Sequence, residues 1–224
     1  MSQPTDNNKL VPTNQRFSIK KFGIAARIEN AANTMPEEAS KFPNRLGIVF
    51  DDSGSMSGNA ITKAHEGIDA FVKNCNHFDT ALALYPLNAP SKNLSNNFAD
   101  IAIYGMGIPA TGGTPLYGKL KEMLEKENIT RAVAFSDGQP TDDFNKGTCI
   151  SEYNNKKISI DTIFIGSIGH GDAAMKELAE ATGGIFLHFT DASVLAQSFK
   201  YLTPAYRGLL MNPEVKAKVE RGEL

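Results

Sequence analysis

The chain has 224 residues, of which 41% are hydrophobic and 21% are charged. These values are ordinary for a globular protein, and the length suffices for one domain with a substantial core. The formal net charge of −2 predicts no general attraction to nucleic acid or to anionic membranes. Cys75 and Cys149 are too few for a disulfide framework and favour reduced thiols.

The N-terminal segment is polar and lacks the apolar core of a secretion signal. No apolar run in the chain approaches the length of a membrane-spanning helix. Together with the two cysteines, these features predict a cytoplasmic protein.

The spacing of apolar residues predicts strands that alternate with helices. A buried strand ends at Phe50, and further strands are predicted at 81–85, 98–104, 132–135, 163–165 and 185–189. Helices are predicted over 61–75, after Pro115, from Asp172 and over 191–201, and a weaker helical pattern covers 213–220. Phe17, Ile19, Phe22 and Ile24 follow about half of an alternating apolar pattern, which indicates a possible added edge strand over 17–24. Such an order is typical of an α/β fold with a doubly wound, mostly parallel sheet that carries helices on both faces.

The most informative segment is the end of the strand at Phe50, which runs into Asp51-Asp-Ser53-Gly-Ser55. Ligands of open α/β sheets bind beyond the carboxyl ends of the strands. Asp51, Ser53 and Ser55 all offer oxygen, which hard cations such as Mg²⁺ and Mn²⁺ prefer. Asp52 projects to the opposite side and is interpreted as structural. The strand end therefore predicts a metal site.

Two further loops present oxygen-bearing side chains at equivalent places. Thr114 stands at the entrance of the helix that follows Pro115, where it also suits a helix cap. Asp137 lies two residues after the end of the strand at 132–135. Asp142 and Asp143, a few residues later, are predicted to cap the next helix.

These three loops, in this order, resemble the metal-ion-dependent adhesion site of von Willebrand factor A (vWA) domains. The matching elements are Asp51-x-Ser53-x-Ser55, the threonine of Thr111-Gly-Gly-Thr114-Pro and the aspartate of Ser-Asp137-Gly. All five oxygen positions of the adhesion site are present. Gly166–Asp172 followed by Leu178–Gly184 resembles the later part of stand-alone bacterial members.

The resemblance implies one antiparallel edge strand in the sheet and a divalent-metal-dependent module that is not an enzyme. It assigns Ser53, Ser55 and Thr114 as ligands of Mg²⁺ or Mn²⁺, with Asp51 and Asp137 acting directly or through water. A protein partner would supply a carboxylate that completes the metal shell. We expect an N-terminal extension over 1–42, partly mobile, a vWA domain over 43–203 and a C-terminal tail over 204–224. The resemblance also implies a partner in an ATPase-containing or multi-subunit assembly.

Other interpretations remain open. The run Gly113–Lys119 nearly forms a phosphate-binding P-loop, but Leu120 stands where a hydroxyl is needed and Pro115 removes a backbone donor. The segment Asp51-Asp-Ser53 at a strand end is also similar to the haloacid dehalogenase phosphatases. Those enzymes require a second aspartate where Ser53 stands, which argues against phosphoryl chemistry.

A metal-dependent hydrolase or phosphotransferase at the same site would need a general base, for which His170 is the candidate. A structural subunit of a larger assembly is the second alternative.

Overall fold

A six-stranded sheet organises the computed structural model, which describes residues 39, 41–169, 171–190, 194 and 198–224. The possible edge strand over 17–24 and most of the helix predicted over 191–201 lie outside these residues. The strands are β1 (Asn44–Phe50), β2 (Thr80–Pro86), β3 (Lys92–Ser95), β4 (Arg131–Ser136), β5 (Ser159–Ile165) and β6 (Phe186–Phe189).

The strand order is β3-β2-β1-β4-β5-β6. All neighbouring strands are parallel except β2 and β3, which pair antiparallel at the edge. This mixed sheet confirms the predicted fold class, including its antiparallel edge strand. The chain winds in one direction from β1 to β3 and in the other from β4 to β6, so β1 and β4 meet at the switch point where α/β sheets bind ligands.

The main helices of the described chain are α1 (Asn59–Asn74), α2 (Phe98–Met106), α3 (Leu116–Lys126), α4 (Lys146–Asn155), α5 (Asp172–Thr182) and α6 (Pro213–Glu220). They cover both faces of the sheet. Along β1, Ile48 and Phe50 pack into one apolar core, whereas Val49 packs into the other. This division follows from the alternation of side chains along a strand whose two faces are both buried.

The strand predicted over 98–104 is wrong, because this segment forms α2. Phe98, Ile101, Ala102 and Gly105 are buried, with the three- and four-residue spacing of a helix face. The side chain of Asn97 accepts a hydrogen bond from Asp100 N at 3.3 Å and caps the helix. The antiparallel strand is instead β3, in the segment between the strands predicted at 81–85 and 98–104.

The segment after Pro204 packs against the sheet through several contacts. Leu210 and Val219 are buried, and Glu220 Oε1 accepts a hydrogen bond from His188 N of β6 at 3.1 Å. The helix predicted over 213–220 is confirmed as α6. The domain boundary at residue 203 stays a prediction.

Both cysteines are buried and free of disulfides. Burial raises the pKa of each thiol to about 12. In the described part of the chain, no helix has the length and apolar character needed to cross a membrane.

Candidate metal centre

The centre of the site is the end of β1, which lies between β2 and β4. Asp51 continues the ladder with β4, since its backbone N–H donates to Phe135 O at 3.1 Å. The carboxyl ends of these parallel strands therefore meet at one edge of the sheet, which we call the carboxyl edge. Asp51 is fully buried there.

The Asp51 carboxylate is held by the loops on both sides of it. Its Oδ1 accepts a hydrogen bond from Ser53 N at 2.8 Å, and its Oδ2 accepts one from Ser136 Oγ at 2.5 Å. Burial raises the pKa of Asp51, although the bonds from Ser136 and Ser53 oppose this effect. Ser136 is a site residue that the sequence interpretation missed, because it was taken only as one of the polar residues that follow the strand.

Ser53, Ser55 and Asp137 form a continuous cluster of oxygen atoms. The two serine Oγ atoms are 3.0 Å apart, and Ser55 Oγ donates to Asp137 Oδ1 at 2.7 Å. A short 3₁₀ turn over Gly54–Met56 bends the chain after Ser53 and so brings both hydroxyls to the same side. Burial raises the pKa of Asp137, against the lowering effect of the Ser55 hydrogen bond.

Thr114 completes the set from the third loop. The expectation that it caps α3 is wrong, because Pro115 occupies the cap position. A Cβ atom placed on Gly138 would lie 3.7 Å from Thr114 Oγ1 and 3.8 Å from Ser55 Oγ. The two hydroxyls therefore border the same small space beside Gly138.

Asp142 caps α3 and not the helix that follows it. Its carboxylate accepts hydrogen bonds from Tyr117 N at 3.2 Å and from Gly118 N at 2.6 Å. The backbone beside it also binds the Thr114 loop, since Thr141 N donates to Thr114 O at 2.9 Å. The segment after Asp137 thus fixes the position of Thr114.

Asp52 has the structural role that its orientation predicted. Its carboxylate accepts hydrogen bonds from Asn88 N at 2.8 Å and Ala89 N at 2.9 Å. Its carbonyl accepts one from Thr111 N at 2.6 Å, and Asn88 Nδ2 donates to Gly113 O at 2.9 Å. Through these bonds Asp52 ties the loop after β2 to the loop that carries Thr114.

The loop after β5 lies directly against Asp137-Gly138. Gly171 has a φ of +114°, and a Cβ at this position would come within 2.5 Å of Gly138 O. Two large apolar side chains are exposed on the neighbouring segments, Phe144 at 85% and Ile168 at 76%. His170 lies outside the described residues.

The donor set of this edge suits a hard divalent cation. Three neutral hydroxyls and two carboxylates give oxygen ligands whose formal charge balances a dication. Within the described ranges, none of the main effects on the pKa of Asp51 or Asp137 comes from a cationic side chain. The described part of the chain contains no group of three or more His, Cys, Asp or Glu side chains placed to hold a metal. Any metal here would depend on the hydroxyl groups.

The fold is similar to that of solved vWA domains. The chain matches the ArnB paralog VWA2 from Sulfolobus acidocaldarius with 21% identity over 72% of its length and a TM-score of 0.52. It matches the vWF domain of the type V pili tip protein Mfa5 from Porphyromonas gingivalis with 13% identity over 76% of its length and a TM-score of 0.57. The VWA domain of SpRpn10 matches with 15% identity over 72% of the chain and a TM-score of 0.52. The chain therefore has the vWA fold.

The share of each neighbour that is matched differs. The chain spans 45% of the Sulfolobus protein, but 96% of the Mfa5 domain and 95% of the SpRpn10 domain. No protein-family model and no curated protein matches the sequence.

Proposed function

We propose that this chain is a protein-interaction module that binds Mg²⁺ or Mn²⁺ at the carboxyl edge of its sheet and uses the site to hold a partner. Ser53, Ser55 and Thr114 would hold the cation, with Asp51 and Asp137 acting directly or through water. A bound divalent cation would supply an electrophilic centre for one carboxylate of the partner. The proposal includes a complete adhesion site of the vWA type.

The observation that carries the proposal is the oxygen cluster of Ser53, Ser55 and Asp137. Loops from two separate strands supply it, and its members are 3.0 Å and 2.7 Å apart. Turn residues that served only their own loops would not need to meet in this way. Asp51 supports the cluster because its carboxylate accepts a hydrogen bond from the backbone N–H of Ser53.

The surroundings of the cluster support a protein partner. Phe144 and Ile168 expose apolar surface on the segments that flank Asp137. Exposed apolar side chains next to a polar site are typical of protein interfaces. We therefore assign both residues to the proposed binding face.

An enzymatic role is not proposed. The solved neighbours are named as vWA or vWF domains, and none of their names states a reaction. Among the described histidines, His65 and His188 bond the backbone carbonyls of Ile108 and Gly166 through their Nε2 atoms, and neither of these bonds involves the oxygen cluster.

A capture experiment tests the proposal. The full chain is immobilised and exposed to extract from its native cell in Mg²⁺, in Mn²⁺ and in chelator, beside an Asp51→Ala variant. We expect a partner that is retained only by the wild-type chain with metal. A partner that binds equally in chelator and to Asp51→Ala would refute the metal-bridged mechanism.

A further inference from the structure

A second cavity with a different chemistry lies at the opposite edge of the sheet. It has a volume of about 500 Å³ and is lined by Arg45, Asn128, Ile129, Thr130, Lys156, Lys157 and Ile158. These residues lie at or just before the starts of β1, β4 and β5, which are neighbours in the sheet. Three separate chain segments therefore converge on this cavity, at the edge farthest from the candidate metal centre.

The lining of this basic cavity carries three positive charges and no carboxylate. Within the described ranges, Arg45, Lys156 and Lys157 take part in none of the ion pairs that other lysines and arginines form. Like charges at close range repel one another unless an anion separates them.

Backbone carbonyls orient two of the three cations without neutralising them. Arg45 donates from Nε to Asn128 O at 2.5 Å and from Nη1 to Phe42 O at 2.6 Å. Lys156 Nζ donates to Leu124 O at 2.8 Å. The negative ends of α3 and α4 lie near this edge and amount to about half a charge each. The three positive charges of the cavity therefore exceed the combined negative charge of the two helix ends by about two.

Nearby carboxylates do not account for the cluster. Lys156 also borders a neighbouring cavity that Glu125 and Glu152 line. Glu152 pairs with Lys121 at 3.6 Å, and in the described part of the chain neither glutamate forms an ion pair with Lys156. The positive charge of the basic cavity is therefore left to an external anion.

Lys157 occupies a position that a glycine would occupy with less strain. It is the one non-glycine residue with a positive φ, +57°, in the described part of the chain. The position follows the end of α4, where the Lys157 N–H donates to Asn154 O and the Ile158 N–H donates to Tyr153 O, both at 3.0 Å. Helices that end in this way prefer glycine at such a residue, because side chains disfavour the left-handed conformation. The lysine at this position therefore carries a conformational cost, and residues held in such a conformation often mark functional positions.

We propose that the basic cavity binds a small phosphate-bearing anion with at least two negative charges, such as a diphosphate group. Ammonium and guanidinium groups together favour phosphate oxygens, and the side-chain amide of Asn128 adds a donor. The volume suits a small ligand, and the charge excess of about two matches a doubly ionised phosphate. The site lies on different strand ends from the metal centre and does not depend on it.

The test is a titration of the full chain with pyrophosphate in the presence of chelator, which prevents metal-bridged binding at the other edge. Binding is followed by calorimetry at about 0.15 M salt, where weak surface attraction is screened. We expect saturable binding of one pyrophosphate, and weaker binding of citrate, which carries its charge on carboxylates. A nucleoside diphosphate is titrated in parallel to separate a free diphosphate ligand from an esterified one. No saturable pyrophosphate binding, or equal binding of citrate, would overturn the proposal.

Lys157→Gly separates binding from folding. This variant removes one cation and also relieves the positive φ, so its melting temperature should equal or exceed that of the wild type. We expect its affinity for pyrophosphate to fall about fivefold or more, and Lys157→Arg to retain binding. Lys176→Ala removes an exposed charge from α5 and serves as the control. An unchanged affinity in Lys157→Gly, or an equal loss in Lys176→Ala, would contradict the proposed site.

Discussion

The hydroxyl of Ser55 donates a hydrogen bond of 2.7 Å to the carboxylate of Asp137, a residue 82 positions later in the chain. The parallel pairing of β1 with β4 brings the two together, since both follow the carboxyl ends of these neighbouring strands. Without a cation, this bond holds the serine hydrogen between the two oxygens. Metal coordination by either oxygen would replace it, so the two residues should act as one unit in metal binding.

The first prediction concerns that unit. Ser55→Ala and Asp137→Ala should each lower Mn²⁺ affinity by about tenfold or more, because each removes an oxygen donor from a small ligand set. Mn²⁺ binding can be followed by electron paramagnetic resonance of the free ion. Asp143→Ala removes an exposed carboxylate from the same edge and should leave affinity unchanged. Equal affinity in all four proteins would remove Ser55 and Asp137 from the proposed ligand set.

A second prediction concerns the cap of α3. Asp142→Ala removes the acceptor for Tyr117 N and Gly118 N, which should lower the free energy of unfolding by about 1–2 kcal/mol. In a chain of this size, that corresponds to a fall of roughly 2–8 °C in melting temperature. Asp143→Ala, next to it and exposed, is the control. If both variants melt alike, Asp142 does not contribute as a cap.

The apolar side chains at the carboxyl edge give a third prediction. Phe144→Ser should weaken retention of the metal-dependent partner, because Phe144 exposes 85% of its surface beside the proposed binding face. Phe78 is 93% exposed in the loop before β2, at the other edge of the sheet. Phe78→Ser is therefore a matched control for loss of an exposed ring. Equal retention of the partner by both variants would place the interface elsewhere.

A fourth prediction concerns the buried ion pair between β4 and β5. Asp161 is fully buried, pairs with Arg131 of β4 and accepts bonds of 2.7 Å and 2.8 Å from Arg207. Asp161→Ala would leave the buried Arg131 guanidinium without its counter-charge, which costs about 3–5 kcal/mol. Burial lowers the pKa of Arg131, and Asp161 opposes this effect.

Arg207→Ala serves as the comparison for that change. It leaves the pair between Asp161 and Arg131 in place and removes a partly exposed partner, so it should cost less than Asp161→Ala. Chemical denaturation of both variants measures the difference. A larger loss in Arg207→Ala would show that attachment of the C-terminal segment matters more than the buried charge.

The sequence predicts most of the sheet because buried parallel strands are read from local runs such as 132–135. It also predicts which strand ends meet, since the carboxyl ends of parallel strands share one edge. It does not distinguish α2 from a strand, because a short apolar segment fits both periods. The roles of Asp142 and Ser136 escape a linear reading, since their partners lie on other loops and depend on how the loops pack.

The close contact between Gly171 and Gly138 has a consequence for the adjoining loop. Any side chain at residue 171 would collide with the Gly138 carbonyl, so even one methyl group would push against the residue next to Asp137. Gly171→Ala therefore offers a way to displace a carboxylate of the proposed metal centre while every oxygen donor remains in the sequence. The size of the residue at position 171 would therefore determine where the loop after β4 places Asp137.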